Sequence, residues 1–141
     1  MHFHDFHPTY AAYAHVPNVA LFSQQIEALR DLLTSAGPDE RQGKDIDYLL
    51  ALGDCFTLVV YGHLVLENAE YFGADNALLD QMFDVFIRDM NHYALTVYGK
   101  TSNSALQREK ALALITAPVS DEARFEEIWG RVNSLVGVYQ G

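Results

Sequence analysis

The chain has 141 residues, half of them apolar and a fifth charged, which fits one domain with a packed core and excludes extensive disorder. Nineteen acids against nine Lys and Arg leave a formal charge of −10. Arg30, Arg41, Lys44, Arg88, Lys100, Arg108 and Lys110 are scattered among acids, so no basic face for nucleic acid or for an anionic membrane surface is expected.

The first seventeen residues, opening "MHFHDFHPTY", read as an arm. His2, His4 and His7 surround Asp5, and in an extended segment His2 and His4 share a side and could chelate a divalent ion. A specific site needs more ligands, held rigidly, than a chain end supplies. Phe3, Phe6, Tyr10 and Tyr13 alternate with the polar residues, and Pro8 can start a short helical turn before Pro17. The arm is expected to pack these aromatics on the body or on a neighbouring subunit, His15 included.

Residues 18–141 then read as one helical domain. Over 19–36, Phe22, Ile26, Leu29 and Leu33 share a face behind Asn18 as cap, and Gly37–Pro38 ends the helix. Asp39 and Gln42 form a capping-box pattern for a long helix over 40–72. That helix is apolar almost all round, with Phe56 expected in the core and Gly43, Gly53 and Gly62 lowering its intrinsic propensity. Asp54 and His63 interrupt its apolar run, which is expected to fall short of a membrane span. Cys55 stands alone within it and reads as a buried small hydrophobe, not a nucleophile.

Asp75 caps the next helix, 76–98, whose stripe is Leu79, Phe83, Phe86, Met90, Tyr93 and Val97. Ser104 with Gln107 boxes the start of a shorter helix over 105–116. Ser120 is the expected cap of the last, 121–139, where Phe125, Ile128, Trp129, Val132, Leu135 and Tyr139 form the stripe expected to be buried. No stretch alternates with period two. The expected fold is all-α, an antiparallel four-helix bundle with one extra short helix and the N-terminal arm.

One constellation could carry metal chemistry. His63, Glu67 and Glu70 follow at i, i+4 and i+7 on one helix face, as in carboxylate-bridged metal sites. Asp89 and His92 form a related pair on the next helix, but roughly 12 Å of helix separates His92 from the level of His63. Asp80 and Asp84 lie at the right level, on the side expected to be polar. The expectation is a hydrogen-bonded His63 beside acids, with Arg88 as ion partner, and no metal. Asp54 reads as part of a polar stripe with Asp47. There is no phosphate-cradling, dinucleotide-binding or nucleophile-elbow motif.

Residues 75–140 carry a Phe-Ile-Arg-Asp helix leading to "YGK", a short Ser- and Gln-containing helix, then Pro and "ARFEEIW" before a Val-Tyr end. This half resembles the C-terminal helical-bundle domain of bacterial acyl-CoA dehydrogenase-like proteins, here as a stand-alone chain. The resemblance implies a bundle that forms an oligomer interface. FAD is not expected, because the β-domain that walls the flavin is missing. No catalytic residue carries over, since "YGKTS", "TAPVSD" and "VYQG" lack the family's late-loop glutamate. The resulting expectation is a non-catalytic, cytoplasmic bundle acting through homo-oligomerisation or an acyl-CoA dehydrogenase-type partner, its start showing no signal-peptide pattern. The alternative is a bundle with its own ligand, an acyl chain between helices or a metal at His63, Glu67 and Glu70.

Overall fold

The computed structural model describes residues 5–139, of Tyr139 the backbone only; His2, Phe3 and His4 lie outside it. Among the described residues there are six α-helices and no strand: α1 His7–Ala12, α2 Pro17–Ser35, α3 Ile46–Asn68, α4 Asn76–Tyr98, α5 Ala105–Leu112 and α6 Glu122–Tyr139. The all-α expectation holds. Helix α4 is the common neighbour, packing on α2, α3, α5 and α6, while α1 packs across α2 and α3.

Local chemistry sets most boundaries. Asp75 accepts from the Leu78 N–H at 2.9 Å and starts α4 where expected. Ser104 and Gln107 complete a reciprocal capping box at α5, which ends at Leu112, short of the expected 116. Helix α6 is capped by Asp121, which accepts from the Arg124 N–H, and not by Ser120.

Two boundaries differ from expectation. The box between Asp39 and Gln42 forms, but it closes only a single 3-10 turn, Gln42–Lys44. The Gln42 amide is drawn across the molecule to Ser102 and Gln107, and the chain restarts at Asp45, whose carboxylate accepts from the Tyr48 N–H. Likewise α2 begins at Pro17, a residue pre-set for the first helical position, so Asn18 is inside the helix and free for another task.

The core is aromatic at its centre. Tyr10, Phe22, Phe83 and Phe86 meet edge-on or tilted, with ring centroids 4.9–6.2 Å apart. Tyr10 reaches this cluster from the arm and donates its hydroxyl to the Val59 carbonyl at 2.7 Å. Burial pushes its pKa well above the usual tyrosine range. Gly62 makes room for it: a Cβ there would stand 2.5 Å from the Tyr10 hydroxyl and 3.2–3.3 Å from the Phe83 and Phe22 rings. Helix α3 therefore turns Tyr48, Leu52, Cys55, Val59, Gly62 and Leu66 inward. Phe56, expected in the core, lies at its edge with 38% exposure, its ring against Phe6. Cys55 is buried as expected, and burial, with Asp54 adding to it, pushes its thiol up to about 12.

By length and composition α3 is apolar enough to cross a membrane, contrary to the expectation drawn from Asp54 and His63. Its apolar residues exceed what one packed face uses. Ile46, Leu50 and Leu64 are left on its outer side, whereas the Tyr61 ring, though half-exposed, meets Phe86 at 5.5 Å.

Phe83→Ala is predicted to cost about 3–5 kcal/mol in urea denaturation, whereas Phe56→Ala should cost less than half as much. Equal losses would mean that the centre of the core is misassigned. The caps give a pH dependence. The Tyr48 N–H, with Lys100 adding to it, holds Asp45 below the usual carboxylate range, and Arg131 with the Leu78 N–H does the same for Asp75. A depressed folded pKa stabilises above the unfolded value and is lost as pH falls through the folded one. Stability should thus hold from pH 7 to about 5 and drop below about 4, less steeply in the Asp45→Asn, Asp75→Asn double variant. An unchanged acid slope in that variant would contradict the assignment.

Candidate functional site

The candidate metal constellation comes together only in part. His63 is 5% exposed, its Nε2 lies 2.9 Å from Glu67 Oε1, and the Phe6 ring meets it at 5.0 Å. Glu70 falls outside, because α3 ends at Asn68 and Glu70 sits exposed in the turn that follows. Asp89 and His92 are exposed on α4. Among the described residues no three His, Cys, Asp or Glu side chains are arranged to hold a metal ion. Arg88, expected beside His63, instead bonds Asp84.

The densest polar cluster is one that the periodicity did not signal. Asp84, expected on a polar face, is buried, as is Arg124. The Arg124 guanidinium pairs with Asp80, with Asp84 at 3.0 Å and with Gln81 Oε1 at 3.0 Å, and it donates to the Val119 carbonyl. Asp84 also accepts from Arg88 Nε at 2.6 Å, and Arg88 reaches Ser120 Oγ. Asn18 completes the knot. Its N–H donates to Asp80, its amide donates to the Asp80 and Val119 carbonyls, and its side-chain oxygen accepts from the Val119 N–H. Helices α2, α4 and α6 and the segment before α6 are thereby fastened at one point. Donors and acceptors here are spent on each other, and the cluster holds the helices together as a latch.

A cleft of about 440 Å³ opens where α1, α2 and α3 converge. Phe6, Ile26, Leu29, Leu33, Phe56 and Val59 make its walls apolar, and Asp5, Glu27 and Arg30 stand among the lining residues. The size is within the range of small-molecule sites.

The largest departure from expectation is α6. Among the described side chains of its apolar stripe only Ile128 is buried, on a helix that packs on α4. Phe125 and Trp129 are 49% and 53% exposed, with their rings parallel at 6.4 Å, and Val132, Leu135, Val136 and Val138 are exposed as well. The 3.6-residue period is the same whether a stripe meets its own core or another chain, so periodicity alone assigned it to the core. Comparison of the chain with family models, curated proteins and solved structures finds no match.

Arg124→Ala should cost about 3–5 kcal/mol in chemical denaturation, since it strips the counter-charge from buried Asp84 and from Asp80. A loss under about 1 kcal/mol would show that the latch does not hold α6.

Proposed function

We propose that this chain is a non-catalytic helical module that works by assembling with further copies of itself. The apolar side chains left in solvent along α6, joined by those on the outer side of α3, carry this reading. Apolar side chains gathered on helix faces in this way are uncommon on monomers and mark interfaces, and two-fold homodimers are the commonest outcome. The charge of −10 opposes association, but salt screens it beyond about 8–10 Å while apolar burial is unaffected.

Within this reading the four long helices form an antiparallel bundle around α4, supported by the packing of α2, α3 and α6 on it. The acyl-CoA dehydrogenase likeness belongs to the same proposal and rests on the sequence cues of residues 75–140. It makes a chain of that type the heterotypic candidate partner, in the cytoplasm and without flavin. The cleft between α1, α2 and α3 favours a second reading, in which an acyl chain or similar apolar molecule lies between the helices.

Light scattering at micromolar concentration and moderate salt should give a mass of at least twice the 15.8 kDa chain. A monomeric mass overturns the assembly reading. Stoichiometric acyl chains in native mass spectra, on a monomer, would put the second reading in its place.

A further inference from the structure

We infer that two copies pair through α6 itself, antiparallel, about a two-fold axis at the middle of that helix, an inference that rests on the assembly reading. The first ground is where α6 runs. Arg124 bonds Asp80 and Asp84, and Arg131 bonds Asp75, the residue that caps the start of α4. Helix α6 therefore descends α4 in the opposite direction, and residues beyond Arg131 project past its end. The eight residues 132–139 extend roughly 12 Å at about 1.5 Å each. All side chains described there are exposed, four of them large and apolar: Val132, Leu135, Val136 and Val138. A two-turn helical end with that composition is not stable alone in water and needs a second surface.

The second ground is the spacing of the outward face. Phe125, Trp129, Val132 and Val136 stand at intervals of 4, 3 and 4, which read the same from either end. With about 3.6 residues per turn they occupy a single narrow stripe. A two-fold interface requires that whatever residue i meets in residue j is returned by j meeting i. This stripe meets that condition when Phe125 faces Val136 of the partner subunit and Trp129 faces Val132 of the partner subunit.

Charge selects the direction. Asp121, Glu122, Glu126 and Glu127 crowd the first half of α6 and its cap, whereas no charged residue follows Arg131. Parallel pairing would set acids against acids. Antiparallel pairing lays the uncharged overhang of each copy along the acidic, α4-seated half of the other. The latch at Arg124 already orients the first half of α6, so ordering on association is confined to the overhang.

The test uses the full chain. Val132→Glu with Val136→Glu should reduce the light-scattering mass to that of the monomer, while Leu64→Glu on the outer side of α3 should leave it unchanged. Under mild oxidation, a mixture of Phe125→Cys and Val136→Cys chains should form the mixed disulfide, and Val136→Cys alone should cross-link weakly. Preferential self-cross-linking of Val136→Cys means parallel pairing and overturns the inference. An undiminished mass in the double glutamate variant moves the interface off α6 and overturns it too, while the assembly reading stands. A monomeric wild type removes both.

Discussion

Burying the Arg124 guanidinium against Asp80 and Asp84 sets the direction of α6, and with it the shape of the surface this protein presents. A buried ion pair adds little net stability over apolar packing, because desolvating both partners offsets much of their attraction. What it supplies here is geometry. The planar fork of an arginine can meet two carboxylates one helical turn apart, with a backbone carbonyl and an amide filling its remaining donors. Asn18 ties the same carboxylate and carbonyl to α2, so three helices and the segment before α6 are referred to one point. Arg131 and Asp75 repeat the arrangement two turns along, at the surface.

That geometry separates two populations of apolar residues. One set closes on the aromatic centre, where Gly62 lets the Tyr10 ring lie against α3 and so brings the N-terminal arm into the core. The other set has no counterpart in the same chain. On α6 the latch and Ile128 use the side toward α4, and the stripe of Phe125, Trp129, Val132 and Val136 lies to one side of it. Half of the residues are apolar, and of the 22 large apolar side chains left exposed among the described residues, α3 and α6 carry six each. Concentration is the physical difference between ordinary exposed side chains and an interface.

Much of the fold was legible because helix limits are written locally. Asp75 and the Ser104–Gln107 box start helices through atoms three residues apart, and α4 runs over the expected 76–98. What depended on distant partners was not. The Asp84–Arg124 pair spans forty residues, and nothing near Asp84 marks it as buried. Helix α3 is apolar nearly all round, so the pattern offered no contrast to tell Val59, which faces the core, from Phe56, which does not. The metal constellation failed for a local reason of the same kind. Glu70 counts as one face with His63 only if the helix continues, and α3 closes at Asn68. The cleft was foreseen only as a space between helices, since its walls come from three elements.

The central claim is that the α6 stripe is covered by a second copy, and Trp129, the single tryptophan, sits in that stripe. Its fluorescence across a dilution series from high micromolar to nanomolar concentration reports coverage directly. The account predicts blue-shifted emission at the concentrated end that moves to the red on dilution, in one transition coincident with the loss of dimer mass. Emission of a half-exposed indole that stays constant at every concentration would contradict it.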